Sequence, residues 1–305
     1  MINQNCPICH SSQVEHYLHL KSNNLIAQKY KKCGHVFIKN SPITSDKISD
    51  YYTMEDFRGK RTLQNERWYT DYYSDCFANY EQRLGSSLVL KQFQEKANYL
   101  DSEFPQGGRL LDIGCATGIF LSMMQNRGWD VEGIEISDEL ATYARKTFSL
   151  KVHVRDITRE NIECEPFHVI TLFDVIEHIP DPNLMISACK SLLAEEGILM
   201  IRTPTEESLL RDIAKILHRI TLRRFEFPLL WFYSFEHLHS FSLNTLSIML
   251  DKHQMSISEV FGEEESLNRL SIPWYVKKAM NGVGVVSSLL NKSHKIVVVG
   301  KKRNT

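Results

Sequence analysis

A glycine-rich turn within residues 110–124, LLDIGCATGIFLSMM, leads from an apolar run directly into a helical pattern. Gly114 lets the backbone approach a ligand closely, and Gly118 precedes a helix whose first N–H groups can bind a carboxylate or phosphate. The spacing is GxxxG, whereas a dinucleotide site requires GxGxxG and a P-loop requires GxxxxGK followed by Ser or Thr. The turn therefore predicts a ligand-binding crevice of neither of those kinds.

Two carboxylates follow at the ends of the next two predicted strands. Glu135, in GIEIS, stands where a carboxylate can accept hydrogen bonds from both hydroxyls of a ribose. Asp156, in VRDI, ends the following strand. Taken singly, each acid is better explained as an exposed loop residue. Because open α/β sheets bind ligands outside the carboxyl ends of their strands, three such signals in order predict one shared crevice.

Histidines in two segments are candidate general bases, since a neutral imidazole is the usual proton acceptor near pH 7. His178 lies in FDVIEHI, and His237 lies in FYSFEHLHSFS. In the alternative interpretation, His178 anchors the turn before Pro180, and His237 only hydrogen-bonds the backbone. For the neighbouring His239, that non-catalytic interpretation is the favoured one.

Three cysteines near the N-terminus have the spacing of a tetrahedral zinc site: Cys6 and Cys9 in CPICH, and Cys33 in KKCGHVF. Residues 1–40 contain few large apolar groups, so a structural metal, rather than a core, is expected to hold them together. One ligand is missing. Four histidines are candidates for it: His10, His16, His19 and His35.

From Arg109 onwards, short apolar runs alternate with helical segments, which is the pattern of βαβ units and a parallel sheet. The predicted strands are 109–113, 130–134, 151–154, 168–173, 197–202, 256–261 and 295–300. The sequence therefore predicts an α/β fold with a doubly wound, mostly parallel seven-stranded sheet over residues 105–305. Residues 41–104 are predicted to form a helical connector, helical from Asn65 to about Leu100. An insertion at 205–235 is predicted to cap the domain.

At this point the residues resemble a known family. LLDIGCATGIF closely matches the first motif of class I S-adenosylmethionine-dependent methyltransferases, and ITLFDVIEHIPDP (170–182) is typical of their small-molecule branch. The resemblance covers roughly residues 105–262 and implies a Rossmann-like fold with S-adenosylmethionine as the cofactor. It implies that Asp112, Gly114 and Gly118 surround the methionine part of the cofactor and that Cys115 lines the same turn. It further implies contacts of Glu135 with the ribose, of Asp156 and Ile157 with the edge of the adenine, and of Phe173 and Asp174 with the side of the cofactor. Ile136, next to Glu135, is a further expected cofactor-binding residue.

A second resemblance concerns the EHLxxFS stretch, which is similar to that of sugar and natural-product methyltransferases with an N-terminal cysteine module. There a Tyr and a His take part in proton removal. The His corresponds to His237, but Ser234 stands at the position of the Tyr. The cysteine module of those proteins has CxxC twice, and Tyr30 replaces the first cysteine of the second pair. The resemblance thus implies a zinc-ribbon-like module in which Cys6, Cys9 and Cys33 supply three of four ligands.

The overall composition limits the possible partners. The chain has 305 residues, with 36 Lys and Arg against 37 Asp and Glu. Because its net charge is close to zero, the protein as a whole is not attracted to nucleic acid or to anionic membranes. The N-terminus does not resemble a signal peptide, and no apolar stretch is long enough to span a membrane. The cysteines are odd in number, seven, and the four beyond Cys33 are scattered, which fits a reducing compartment, so a cytoplasmic protein is expected. The arginines and aromatics of 205–235 could close over an anionic, partly apolar acceptor, contact a membrane surface, or simply pack in a core.

These observations predict an S-adenosylmethionine-dependent methyltransferase acting on a small molecule, such as a sugar nucleotide, a quinone-like lipid or another natural-product intermediate. Methylation at carbon, oxygen or nitrogen is equally compatible with the sequence. One alternative is an RNA methyltransferase that binds RNA through the cysteine module. The near-neutral net charge of the chain disfavours this alternative. Another is a catalytically silent binding protein, which the intact glycine turn and both acids disfavour.

Overall fold

The computed structural model describes residues 5–43, 80–84, 87–160, 162–265 and 273–303. The strands are β1 Val14–Leu20, β2 Leu25–Tyr30, β3 Val36–Ile38, β4 Arg109–Ile113, β5 Asp130–Glu135, β6 Lys151–Val154, β7 Phe167–Phe173, β8 Leu193–Pro204, β9 His239–Ser240, β10 Met255–Glu263 and β11 Lys295–Lys302. The α-helices are α1 Leu88–Glu103, α2 Ile119–Gln125, α3 Asp138–Phe148, α4 Pro182–Leu192, α5 Leu209–Ile220, α6 Leu243–Lys252 and α7 Trp274–Leu289. Short 3₁₀ helices lie at Tyr80–Arg83, Ile176–His178 and Leu229–Trp231.

The larger sheet has the strand order β10-β11-β8-β7-β4-β5-β6. β11 runs antiparallel to both of its neighbours, and the other pairs are parallel. All seven predicted strands are present, so the predicted doubly wound, mostly parallel sheet is confirmed. The strand order reverses between β4 and β7, and ligands of such sheets bind at this switch point.

Helices cover both faces of this sheet, which explains why β4, β7 and the second half of β8 are mostly apolar rather than alternating. Side-chain caps set where the helices begin: Ser137 accepts a hydrogen bond from Leu140 N at α3, and Asp181 accepts one from Asn183 N at α4. Of the predicted connector helix, Leu88–Glu103 is helical, and its part before residue 80 lies outside the described residues. No helix in the described ranges has the length and apolarity to cross a membrane.

The N-terminal segment forms a second sheet with the order β1-β2-β3-β9, in which Val36 and Phe37 pair with β9. Its apolar side chains are buried against Ala214 of α5 and the aromatic end of the insertion, including Tyr233. The expectation that residues 1–40 lack a core was therefore wrong. The segment does have one, but the partner residues lie about two hundred positions further along the chain.

A largely buried carboxylate, that of Glu206, joins these parts. It accepts hydrogen bonds from the hydroxyls of Tyr17 at 2.6 Å and Tyr233 at 2.7 Å, and it forms ion pairs with Arg211 and Lys215. Burial alone would raise the pKa of Glu206, but the two cations and the tyrosine hydrogen bonds lower it to about 2. Glu206 is therefore ionised at neutral pH and fixes the insertion against the N-terminal sheet.

Candidate functional site

The glycine-rich turn runs from β4 into α2, where the sequence placed the crevice. Gly114 has a φ of +75°, and a Cβ there would lie 2.5 Å from Val175 Cγ2. Gly118 caps α2 with a φ of +80°, and a Cβ there would lie 2.6 Å from Leu150 Cδ1. Gly114 N also donates to Ile134 O at 2.7 Å, which holds the turn against β5. Only glycine meets both the backbone and the space requirement at these two positions.

Replacing Gly118 by alanine should destabilise the protein by about 2–4 kcal/mol, because left-handed strain and overpacking both act there. Gly128 provides a matched control. Its φ is +89°, but nothing lies within 4 Å of a Cβ built on it. Gly128→Ala should therefore cost only the backbone strain, about 1–2 kcal/mol. Urea unfolding of both variants measures the difference, and equal losses would show that the contact with Leu150 does not matter.

Glu135 is buried at the end of β5, and its carboxylate has a fixed orientation. Its Oε2 accepts from Ala116 N at 2.9 Å, and its Oε1 accepts from Ser137 N at 2.9 Å. Burial raises the pKa of Glu135, while the backbone N–H groups of Ser137 and Ala116 oppose that rise. Each oxygen keeps a lone pair, so the carboxylate can still accept two hydroxyl groups of a ligand.

Two further acids lie along the same edge of the sheet. Asp112 is buried in β4 and accepts from Thr171 Oγ1, and burial raises its pKa to about 7. Asp156 follows β6, where its Oδ1 accepts from Thr158 N and Thr158 Oγ1 and its Oδ2 lies 3.2 Å from Arg159 Nε. These bonds fix the loop after β6 with the neighbouring Ile157 buried beneath it.

Apolar residues of the predicted site line the turn and the end of β7. Cys115 is buried, and its sulfur faces Gly133, where a Cβ would lie 2.7 Å away. Ile136 is half-buried after β5. Phe173 is also half-buried, with its ring 4.9 Å from that of Phe120. These residues lie in the turn after β4 and at the ends of β5 and β7, beside the reversal of strand order between β4 and β7.

Asp174 is held by two cations that the sequence analysis did not identify. It has a φ of +56° and forms ion pairs with Arg202 of β8 and with Lys295 of β11, the latter at 3.0 Å. Burial would raise the pKa of Asp174, but both cations hold it well below its usual range. Arg202 also lies over the Phe173 ring, 5.2 Å from its centroid. Asp174 therefore fixes the end of β7 through its carboxylate.

The two predicted histidines are brought together. The rings of His178 and His237 lie edge to face, with centroids 4.8 Å apart. His178 Nδ1 lies 2.9 Å from Glu236 O, and because a carbonyl only accepts, Nδ1 carries the proton and Nε2 is basic. Burial lowers the pKa of His178, and burial together with His178 lowers that of His237. Both rings are therefore neutral at pH 7 and able to accept a proton.

His239 lies apart from this pair. It is buried, its Nδ1 is 3.0 Å from His35 Nε2, and its Nε2 is 3.4 Å from Pro180 O. These contacts join β9 to the N-terminal sheet and to the turn after β7. They agree with the non-catalytic role that was favoured for His239.

Glu177 is a site residue that sequence reasoning missed. It is buried, it accepts from Thr203 Oγ1 at 3.0 Å, and its Oε1 lies 4.0 Å from His178 Nε2. Burial and the nearby Asp174 raise the pKa of Glu177 to about 8. The feature of the sequence that could have pointed to Glu177 is its position next to His178 in FDVIEHI. A mostly protonated carboxyl here adds little negative charge to the histidine pair.

The three N-terminal cysteines lie close enough together for their sulfur atoms to bind one zinc ion. The sulfurs of Cys6, Cys9 and Cys33 all lie within 4.8 Å of one another, and those of Cys6 and Cys33 are 3.6 Å apart. Thiolates sharing one tetrahedral zinc lie about 3.8 Å apart, as follows from Zn–S bonds of about 2.3 Å. None of the candidate histidines His10, His16, His19 and His35 joins this group. The identity of the fourth ligand therefore stays open among the predicted candidates.

Comparison with known proteins identifies the family. A family described as "Methyltransferase domain" matches residues 81–259. The chain belongs to this methyltransferase family. The resemblance to class I S-adenosylmethionine-dependent methyltransferases is thereby confirmed.

Among the curated relatives are ubiquinone biosynthesis O-methyltransferases. The protein of Actinobacillus pleuropneumoniae serotype 7 (strain AP76) is 36% identical over 130 residues, which are 39% of this chain and 53% of the relative. That of Bordetella avium (strain 197N) is 33% identical over 122 residues, 38% of this chain and 48% of the relative. The chain spans about half the length of the curated relatives it matches.

Solved structures of similar fold include two methyltransferases. The magnesium protoporphyrin IX methyltransferase of Synechocystis PCC 6803, with bound SAH, has a TM-score of 0.54 and 12% identity, covering 85% of this chain and 100% of that one. The 1,6-didemethyltoxoflavin-N1-methyltransferase of Burkholderia thailandensis has a TM-score of 0.51 and 12% identity, covering 90% and 98%. At this identity the likeness establishes the fold alone, a Rossmann-like methyltransferase fold.

Proposed function

We propose that this protein transfers a methyl group from S-adenosylmethionine to a hydroxyl group of a small, quinone-like molecule. The observation that carries the proposal is the contact between two neutral rings, that of His178, which follows β7 beside the switch point, and that of His237, which comes just before β9. A hydroxyl oxygen must lose its proton as it attacks carbon, and a neutral imidazole within hydrogen-bond reach can accept it. An acceptor without an acidic proton would not need such a pair.

S-adenosylmethionine supplies a methyl carbon already activated by a sulfonium, so the protein has mainly to align the acceptor and exclude water. The residues present fit this cofactor. Gly114 and Gly118 give the turn its left-handed backbone between β4 and α2, and Glu135 holds its carboxylate ready for two ribose hydroxyls. The adenine would lie against Asp156 and Ile157, at the next strand end along the sheet.

The acceptor class is supported by the names of relatives, several of which are ubiquinone biosynthesis O-methyltransferases. A phenol-like hydroxyl also suits a base whose pKa is lowered, because its proton is more acidic than that of an alcohol. Sugar hydroxyls are the second class to examine. Cytoplasmic location remains a prediction from the sequence.

Isothermal titration of S-adenosylmethionine into the purified protein tests the cofactor, and transfer of labelled methyl to a panel of phenols, catechols and sugars tests the acceptor. We expect saturable cofactor binding and methylation of a phenolic hydroxyl. Labelling confined to nitrogen acceptors would overturn the acceptor class but not the cofactor. Absence of cofactor binding would overturn the whole proposal and favour a catalytically silent protein.

We further propose that Cys6, Cys9 and Cys33 hold a structural zinc ion. Purified protein should contain about one zinc per chain, because tetrahedral sites built on thiolates bind this metal strongly. Cys33→Ser should lose the metal and lower the melting temperature. Cys164→Ser is the matched control, since Cys164 is exposed and far along the chain. A wild-type protein free of metal after purification without chelators would contradict the proposal.

A further inference from the structure

Helix α7 exposes an unusual amount of apolar surface. Gly284 and Ser287 are its buried residues, whereas Trp274 and Leu289 are 74% and 79% exposed. Val285 is exposed as well, and its spacing of eleven residues from Trp274 and four from Leu289 places all three on one side of the helix. This side faces away from the body of the protein.

Helix α5 lies beside α7 and has a similar outward side. Ile216 and Ile220 are exposed one turn apart, on the side opposite the buried Ala214, and Leu222 is 80% exposed just beyond the helix end. The two helices are in contact, and Leu209 N at the start of α5 donates to Lys292 O beyond the end of α7. We call the exposed side chains of 216–225 and 274–290 the α5–α7 surface.

This part of the chain is strongly cationic, although the whole chain is close to neutral. Residues 209–225 and 273–292 contain eight Lys and Arg but a single acidic residue, Asp212. Asp212 is already paired with Lys215 at 3.1 Å and with Lys292 at 2.9 Å. Arg211 and Lys215 are paired with Glu206 as well. The exposed cations that lie among the apolar side chains are Arg219, Arg223, Arg224 and Lys278, and these two segments contain no acidic residue besides Asp212.

We propose that the α5–α7 surface binds the face of a membrane that contains anionic phospholipids. Apolar side chains flanked by Lys and Arg, on helices too short to span a bilayer, are the pattern of interfacial binding. Trp274 and Tyr275 at the start of α7 are residue types that settle at the level of lipid headgroups. The proposal concerns where the protein works, and it holds whichever acceptor is methylated.

Charge favours a lipid surface over a second copy of the chain. In a symmetric dimer the same patch meets itself, so Arg219, Arg223 and Lys278 would approach their own copies. Like charges brought together at an interface disfavour association, whereas anionic headgroups attract each of these side chains. A lipid surface therefore satisfies the apolar and the charged parts of the α5–α7 surface together.

Flotation of the full-length protein with lipid vesicles tests the proposal. One set contains phosphatidylcholine with anionic phosphatidylglycerol, and the other contains phosphatidylcholine alone. We expect binding to the anionic set, weakening as salt is raised, with a blue shift of tryptophan emission that Trp274→Phe removes. The double variant Trp274→Ser with Leu289→Ser should bind at least about tenfold more weakly.

Leu184→Ser is the matched control, because Leu184 is a half-exposed leucine on α4, away from this surface. It should bind vesicles as the wild type does, and melting curves verify that all variants are folded. Absence of binding to anionic vesicles, or equal binding by the double variant, would overturn the proposal. A concentration-dependent dimer that the double variant abolishes, without vesicle binding, would assign the surface to a second copy.

Discussion

Replacing His237 by asparagine is expected to lower the rate of methyl transfer by about 10²–10⁴-fold, the range that one general base contributes. Affinity for S-adenosylmethionine should stay nearly the same, since the residues proposed to hold it belong to other segments. The measurement is steady-state kinetics beside calorimetry of the cofactor. His16→Asn is the control, because His16 is an exposed histidine in the N-terminal sheet. A large loss of cofactor affinity in the His237 variant would instead indicate a structural role.

The pH dependence provides an independent check on the same pair. Burial lowers the pKa of both His178 and His237, and only a neutral ring can accept a proton. The rate should therefore rise with pH through this lowered pKa and level off above it. The midpoint of the acid limb is expected below the ordinary histidine value of about 6.5. A midpoint clearly above that value would mean that another group limits the reaction on the acid side.

The sequence predicted the sheet and its ligand-binding edge because both depend on local signals. Strands such as β4 and β7 are buried on both faces, so they appear as short, mostly apolar runs. Glu135 and Asp156 could be placed at one crevice because parallel strands end at one edge of a sheet. No long-range information was needed for either inference.

Other features depend on contacts between distant parts of the chain, which periodicity does not report. The core of the N-terminal sheet was missed because its partners, Ala214 and Tyr233, come late in the sequence. Arg202 follows the apolar run of β8 and Lys295 precedes that of β11, positions where a cation usually marks only the boundary of a strand. Their role is evident only when β8 and β11 lie side by side and both residues meet Asp174.

Glu135→Ala is expected to weaken binding of S-adenosylmethionine by about 10²-fold, because hydrogen bonds to a charged group contribute about 1.5–3 kcal/mol each. The same change removes the acceptor of Ala116 N and Ser137 N, so the unliganded protein should also lose stability. Calorimetry with the cofactor, beside urea unfolding, separates the two effects.

Two further variants make the result specific. Glu135→Gln keeps one oxygen acceptor, so its loss of affinity should be smaller than that of the alanine variant. Asp138→Ala removes a carboxylate that is exposed and three residues further on, and it should leave cofactor affinity nearly unchanged. If Glu135→Ala bound the cofactor as tightly as the wild type, the carboxylate would serve only to hold the glycine-rich turn against β5. The ribose would then have to be bound by other groups at this edge of the sheet.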